Sequence, residues 1–198
     1  LSAQGVRNVV EAGVDQLIHA RWYHSDPNEG LDYTPDTVKQ MVDQGQWVDP
    51  TIGHHLLGIE AKARGEVGPM DPHWAVSYKI VPEEEHVDTL NKMHDAGVRF
   101  TTGLDMGMTY GTHDRSAANA WALVETLGWK NWKAINASTA GTAEALGLVK
   151  QIGRLQTGMF ADMAAFAGDP AQNIRDMDQA STVVKSGQIL KLNNKVLA

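Results

Sequence analysis

The 198-residue sequence contains no cysteine. This absence excludes disulfides, thiolate metal ligands and thiol nucleophiles, so histidine, aspartate and glutamate remain as metal ligands. The sequence also lacks an apolar run of the roughly 18 residues that a membrane-spanning helix needs. Basic residues are the minority charge, with 17 Lys and Arg against 24 Asp and Glu and a formal net charge of −7. We therefore expect no binding to nucleic acids or anionic membranes, while a small neutral or cationic partner stays open.

Several catalytic signatures are missing as well. No G-x-S-x-G, P-loop, G-x-G-x-x-G or His-Glu-x-x-His motif occurs in the sequence. Serine hydrolases, nucleotide hydrolases and dinucleotide enzymes therefore lack their motifs here, and metal-assisted hydrolysis is the leading chemical option. The first residues carry no recognisable targeting segment, and both a cytoplasmic and a secreted location stay open.

What the sequence does contain is a regular alternation of helix and strand patterns. Apolar residues at helical spacing predict helices in three segments, residues 5–13, 34–45 and 82–97. Each is followed by a short apolar run typical of a buried strand, at residues 17–18, 46–52 and 98–104. Such alternation is typical of parallel βα units, so we predict an α/β fold.

Two segments depart from this alternation. Residues 53–80 contain three glycines after position 57 and two prolines, and we interpret them as a long functional or mobile loop. From about Ile152 the pattern changes to short alternating strands, at 163–166 and 182–185, separated by turns. The predicted organisation is therefore an α/β part over residues 1–151 and a small β appendage over 152–198.

Two ligand-capable residues follow predicted strands, His19 and Asp105. Active sites of parallel α/β folds form at the carboxyl ends of strands. An imidazole and a carboxylate can hold a divalent metal, which lowers the pKa of bound water to about 7. We therefore predict both residues as metal ligands and Asp105 also as the catalytic base. The competing interpretations are a hydrogen-bonded wall residue for His19 and a helix N-cap for Asp105.

The other histidines give weaker indications. His113, in a glycine-containing loop after Asp105, is a candidate substrate contact, with a solvated loop residue as the alternative. His54 and His55 would point to opposite faces of a strand, so we favour a loop contact over a shared metal. His86 and His94 are interpreted as flanks of a packed helix.

Six blocks of the sequence match one known pattern, in order along the chain. They are EAGVDQLIH (11–19), VDPT (48–51), AGVRFTTGLD (96–105), ASTAGTAEALGL (137–148), IGRLQTGMFAD (152–162) and VVKSG (183–187). These blocks resemble the amidohydrolase superfamily, especially its imidazolonepropionase-like and Xaa-Pro-dipeptidase-like metal-dependent hydrolases. The resemblance extends over nearly the whole chain, and the 152–162 block is specific.

The resemblance implies a (β/α)₈ barrel with one or two divalent metals, most often zinc, and a small β-sandwich. It places His19 on barrel strand six as a metal ligand and Asp105 on strand eight as ligand and general base. The implied reaction is hydrolysis of a C–N bond in a small-molecule substrate, which is an amide, a cyclic amide or a dipeptide. One departure is that Gly103-Leu104-Asp105 stands where the family usually has Gly-Thr-Asp.

The resemblance is to the C-terminal half of the family only. The chain matches a partial (β/α)₈ barrel, strands six to eight with their helices, plus the C-terminal strands of a composite sandwich. The family's strand-one His-x-His pair, middle-strand carboxylate or modified lysine, and strand-five histidine would precede Leu1. We therefore expect a fragment that is inactive alone, because two ligands rarely hold a catalytic metal. The alternative is a non-catalytic half-barrel that associates through open edges with the missing N-terminal half or with itself.

Overall fold

The computed structural model describes residues 2–26, 28–66, 83–107, 109–178 and 180–197. Its α-helices are α1 (Ala3–Glu11), α2 (Pro35–Gln44), α3 (Ile52–Ala63), α4 (Glu83–Asp95), α5 (Ala118–Glu125), α6 (Asn131–Asn136) and α7 (Thr142–Ala145). Its strands are β1 (Gln16–Ile18), β2 (Trp47–Asp49), β3 (Arg99–Phe100), β4 (Met163–Phe166), β5 (Ala180–Lys185), β6 (Gln188–Leu192) and β7 (Lys195–Val196). Short 3₁₀ turns lie at His113–Arg115 and Ile174–Met177, and a π-helix at Ala137–Gly141 joins α6 to α7.

The first three strands form a parallel sheet in the order β1-β2-β3. Leu17 pairs with Val48, and Val48 pairs with Phe100. This arrangement confirms the predicted α/β alternation. Strand β3 is shorter than the predicted run of 98–104, because the chain leaves the extended conformation on its way to Asp105, whose φ is 55°.

The ends of the helices follow the chemistry of their capping residues. At the start of α1, the Ser2 hydroxyl accepts a hydrogen bond from the Gly5 N–H. Pro35 stands in the first turn of α2, where its missing N–H costs no helical hydrogen bond. Gly45 ends α2 in the left-handed conformation, at φ 67°, that glycine adopts without steric cost.

Helix α3 corrects the predicted long loop at residues 53–80. Residues 53–63 are helical, while residues 67–80 lie outside the described residues. The buried face of α3 repeats every four residues through Gly53, Leu57 and Ala61. The prediction was wrong because it counted Gly58 and the later glycines as helix breakers. Gly53, at the start of the helix, provides the space in which α3 packs against α5.

The core surrounds the parallel sheet and is continuous with the helices that cover it. Trp22 and Trp121 are among its largest fully buried side chains, and the Trp22 indole N–H donates to the Met93 sulfur at 3.2 Å. At the rim, Arg175 pairs with Glu60 of α3 and Glu125 of α5, with its guanidinium 4.4 Å from the Trp121 ring centroid. Among the described residues, no helix is long and apolar enough to cross a membrane.

The C-terminal strands form a second sheet, antiparallel, in the order β4-β5-β6-β7. Ala164 pairs with Val183, and Val183 pairs with Lys191. The strand predicted at 163–166 has these bounds in the structure, and that predicted at 182–185 lies within β5. The boundary near Ile152 and the composite sandwich remain predictions.

Alanine at two glycines of α3 should have opposite effects on stability. A Cβ on Gly53 would lie 2.5 Å from the Asn119 backbone N, so we expect Gly53→Ala to lower the free energy of unfolding by about 1–3 kcal/mol. A Cβ on Gly58 would lie 3.4 Å from the Tyr110 ring, an ordinary contact. Gly58→Ala should therefore be neutral or stabilising, by up to about 1 kcal/mol, through helix propensity. Urea unfolding measures both, and equal destabilisation would contradict the role of the close helix contact.

Candidate active site

The carboxyl edge of the parallel sheet carries three non-glycine residues in the left-handed conformation, one after each strand. They are His19 at φ 60°, Thr51 at φ 47° and Asp105 at φ 55°. This conformation is uncommon for residues with a Cβ and is an outlier for a β-branched residue such as threonine. Because strain of this kind clusters at functional sites, the backbone itself indicates this edge as a site.

The structure brings His19 and Asp105 together at this edge. His19 Nε2 and Asp105 Oδ2 are 3.8 Å apart, and the two side chains are 28% and 44% exposed. That distance is too long for a hydrogen bond. The nitrogen and the oxygen, both possible metal ligands, therefore lie side by side without bonding to each other. Burial lowers the pKa of His19, an effect that the Asp105 carboxylate partly opposes. Burial is the larger of the two effects, so the pKa of His19 lies below its ordinary value of 6.5 and the neutral imidazole is favoured near neutral pH.

The structure bears differently on the two competing interpretations, a helix N-cap for Asp105 and a hydrogen-bonded wall residue for His19. No helix begins directly after Asp105 within the described residues, so its carboxylate is not an N-cap there. Leu104, the residue that departs from the usual family pattern, is only 3% exposed, so its side chain anchors the turn in the core. His19, in contrast, is hydrogen-bonded as a wall residue would be, since its Nδ1 lies 2.7 Å from Thr51 Oγ1. That bond involves one ring nitrogen and leaves the other facing Asp105.

Asp49, the last residue of β2, is a buried carboxylate that the sequence analysis did not single out. It is 5% exposed, and the Thr51 N–H donates to its Oδ1 at 3.0 Å. Burial raises the pKa of Asp49, while hydrogen bonds from the backbone N–H groups of Thr51 and Gly103 lower it. A Cβ on Gly103 would lie 2.2 Å from Asp49 Oδ2, so the carboxyl group packs directly on the turn that carries Asp105. The available signal was the one used for Asp105, a carboxylate that ends an apolar strand.

A group of histidines lies beside this edge on the covering helices. His54 and His55 are on α3, and the expectation of a strand or loop position was wrong. Consecutive helical residues point about 100° apart, so the two rings diverge. Burial lowers the pKa of His54, and the Asp105 carboxylate partly opposes this effect. A Cβ on Gly111 would lie 3.4 Å from His54 Cδ2, so the loop after Asp105 runs over this ring.

Two further histidines, His86 and His94, lie on α4, the helix on which they were predicted to flank the packed face. His86 is buried, and its ring meets that of Tyr23 edge-on at a centroid distance of 5.0 Å. His94 packs against the Trp129 ring at 4.5 Å. Burial lowers the pKa of His55 and of His86 to about 4, with the Arg21 cation acting in the same direction. These two imidazoles are therefore neutral near neutral pH.

His113 stands apart from the His19–Asp105 pair. It is exposed on the 3₁₀ turn His113–Arg115 and lines a cavity of about 760 Å³ with Thr102, Ala120 and Phe166. Neither His19 nor Asp105 lines that cavity. The substrate contact assigned to His113 stays a prediction.

The donor set fits a divalent metal only in part. His19 and Asp105 supply one nitrogen and one oxygen donor of the kind that zinc uses. Within the residues that the structure describes, no group of three or more His, Asp or Glu side chains is placed to hold a metal ion. Catalytic zinc is usually held by three protein ligands. The pair therefore supplies two of the three protein ligands that a catalytic zinc site usually has.

Comparison with known proteins identifies related sequences and structures. The amidohydrolase family model matches residues 6–190. No curated protein matches the chain by sequence. A Xaa-Pro dipeptidase with bound methionine in its active site superposes with a TM-score of 0.75 at 23% identity. A prolidase complexed with N-methylphosphonate-L-proline gives 0.72 at 21%, and an ochratoxinase from A. niger gives 0.70 at 21%.

The chain spans less than half the length of these solved structures. It is covered over 96%, 96% and 95% of its own residues, which match 43%, 43% and 39% of the dipeptidase, the prolidase and the ochratoxinase. At these identities the likeness establishes a shared mixed α/β fold.

The buried histidines predict a loss of stability in mild acid. The folded-state pKa of His86, about 4, lies below its ordinary value of 6.5, so folding favours the neutral ring. That contribution is complete above pH 6.5 and is lost as the pH falls towards 4. For His86→Gln we expect a flatter profile, with about 2–3 kcal/mol less loss in unfolding free energy between pH 7 and pH 4.5. Urea unfolding at both pH values measures this, and parallel profiles for variant and wild type would contradict it.

Proposed function

Because the chain belongs to the amidohydrolase family, we propose that it forms the portion of a metal-dependent hydrolase that carries barrel strands six to eight, as β1, β2 and β3. The observation that carries this proposal is the His19–Asp105 pair, with 3.8 Å between donor atoms at the ends of β1 and β3. The likeness to a Xaa-Pro dipeptidase and a prolidase supports a C–N bond as the target. The substrate class is an amide, a cyclic amide or a dipeptide.

In this proposal, His19 Nε2 and the Asp105 carboxylate would hold a divalent metal, with zinc favoured by the donor types. A bound metal would supply Lewis acidity there, which would lower the pKa of the attacking water and polarise the scissile carbonyl. Asp105 accepts the proton of the attacking water and delivers it to the leaving nitrogen, as general base and then general acid. Its half-exposed carboxylate, on a turn anchored by buried Leu104, is accessible to the water and to the leaving nitrogen.

The same proposal assigns roles to the two sheets. Residues 1–151 would be the C-terminal part of the barrel, and residues 152–198 would complete a small sandwich with strands from outside this chain. The remaining metal ligands would come from the rest of the barrel, so the chain alone would be inactive. In support, β1 has only β2 as a neighbour in the described part of the parallel sheet.

A second candidate, a non-catalytic half-barrel that associates through its edges, is favoured by exposed apolar side chains. Ile18 on edge strand β1 is 44% exposed. The antiparallel sheet also exposes large apolar side chains, namely Met163, Ile189, Leu192 and Val196. Surfaces of this kind on strand edges promote pairing with another chain.

Sedimentation velocity tests the hypothesis that the chain associates through its strand edges. If the edges pair, the 198-residue chain should sediment with a concentration-dependent coefficient, and Ile18→Lys should shift it towards the monomer by placing a charge at the β1 edge. Gln44→Lys, which adds the same single positive charge at an exposed α2 residue, is the control for charge alone. A concentration-independent monomer would argue against association.

The hydrolase proposal is tested on the protein of the whole reading frame that contains this sequence. Bound metal is quantified after purification, and hydrolysis of Xaa-Pro dipeptides, N-acyl amino acids and cyclic amides is assayed. For Asp105→Asn we expect kcat to fall by roughly 10²–10⁴, because the variant keeps the shape of the side chain and loses its basicity.

The matched control is Asp95→Asn, which changes an aspartate that is 81% exposed at the end of α4, and it should retain wild-type kcat. A reading frame with no His-x-His motif upstream of this sequence would contradict the proposal that the whole protein is a metal-dependent hydrolase. Stoichiometric zinc and amide hydrolysis by the 198-residue chain alone would contradict its inactivity as a fragment.

A further inference from the structure

We propose that Thr51 is a positioning residue that holds His19 as its Nδ1–H tautomer and thereby leaves the Nε2 lone pair facing Asp105. The role in metal binding rests on the proposed function, while the tautomer itself depends on this chain alone. The inference comes from four hydrogen bonds and one strained backbone conformation at the carboxyl edge of the parallel sheet.

The direction of the hydrogen bond between Thr51 and His19 follows from counting protons. A threonine hydroxyl has one proton to donate, and Thr51 donates it to the Pro50 carbonyl oxygen at 2.9 Å. Thr51 Oγ1 must then accept from His19 Nδ1, which lies at 2.7 Å. A neutral imidazole carries one N–H, so protonation at Nδ1 leaves Nε2 as the bare nitrogen. Nε2 is the atom that lies 3.8 Å from Asp105 Oδ2.

The placement of Thr51 is fixed by a closed circuit of hydrogen bonds. The His19 backbone N–H donates to the Asp49 carbonyl oxygen at 3.0 Å. The Thr51 backbone N–H donates to Asp49 Oδ1 at 3.0 Å, and the Thr51 hydroxyl meets the His19 ring. Backbone and side chain of both residues are therefore tied through Asp49. A ring oriented in this way has little freedom to present Nδ1 to the site.

The strained backbone conformation of Thr51 indicates that a threonine side chain is needed at this position. Thr51 has φ 47° and ψ 31°, a conformation that glycine adopts freely and a β-branched residue adopts at a cost. Its side chain is buried, so the hydroxyl acts on neighbouring protein atoms. Metal-binding histidines generally donate their second ring N–H to an oxygen acceptor, which fixes the tautomer and the ring orientation. Thr51 Oγ1 is in the position of that acceptor.

The tautomer is measured directly by NMR on the ¹⁵N-labelled, metal-free 198-residue chain at pH 8. Long-range ¹H–¹⁵N correlations distinguish a protonated from a bare ring nitrogen, and His19→Gln assigns the His19 signals. We expect protonation at Nδ1, whereas free histidine favours protonation at Nε2. A wild-type His19 protonated at Nε2 overturns the inference, whatever the activity of the protein.

Three variants separate positioning from general stability. Thr51→Val keeps the shape but removes the hydroxyl, so His19 should shift towards protonation at Nε2, and Thr51→Ser should restore the wild-type pattern. Thr89→Val is the matched control, because Thr89 is also buried and its hydroxyl also donates to a carbonyl, that of Glu85, at 2.8 Å. It should leave the His19 signals unchanged. A Thr51→Val chain that retains the wild-type tautomer overturns the inference, and if that variant fails to fold, the wild type and Thr51→Ser decide.

The consequence for metal binding is tested on the protein of the whole reading frame. In a zinc titration, Thr51→Val should bind roughly 10–100-fold more weakly, with Thr51→Ser close to wild type. An Nδ1–H tautomer in a protein that hydrolyses no amide would contradict the proposed function and leave the tautomer assignment intact. Active enzyme with unchanged zinc affinity in Thr51→Val would support the proposed function and overturn the positioning role.

Discussion

The site depends first on the buried carboxyl group of Asp49. It lies at the end of the middle strand, accepts the Thr51 N–H and packs against the Gly103 backbone so closely that a Cβ there would overlap it. The turn after β2 orients His19, and the turn after β3 carries Asp105. A single side chain therefore couples the two turns that bring His19 and Asp105 together. Burying a carboxylate is costly unless hydrogen bonds satisfy it, and the donors of both turns do so.

The strained backbone at the carboxyl edge of the parallel sheet also depends on the surrounding structure. Left-handed conformations at His19, Thr51 and Asp105 are each unfavourable for the local chain, so the surrounding structure must impose them. The covering helices provide that constraint. At Gly53, α3 lies so close to α5 that no side chain fits between their backbones, and the Gly53 N–H donates to buried Asn119 Oδ1 at 2.7 Å. The tight packing of α3 holds the residue immediately before it, Thr51, in its turn.

Sequence reasoning found the parts of this arrangement that depend on local pattern. The alternation of helices and strands and the candidates His19 and Asp105 follow from periodicity and from a ligand-capable residue after an apolar run. The structure brings those two side chains together. Helix α3 was missed because its glycines were counted as helix breakers. The role of Gly53 is instead set by its contact with α5, more than 50 residues away in the sequence. Thr51 was missed as a site residue because its importance lies in pairwise hydrogen bonds, which no spacing rule encodes. Asp49 carried a usable signal, a carboxylate at the end of an apolar strand, that was applied only to Asp105.

The carboxyl edge of the parallel sheet combines few possible metal donors with a well-defined geometry. Two donors are too few for a catalytic metal, yet the His19 ring is already oriented and the Asp105 turn is already anchored in the described chain. Orientation supplied by hydrogen bonds within β1, β2 and their turns does not require the metal to be present. Ordering these side chains in advance reduces the conformational entropy that metal binding would otherwise have to overcome. Further ligands would therefore meet a preorganised pair, and the affinity of the completed site would depend on Asp49 and Thr51 as well as on the atoms that touch the metal.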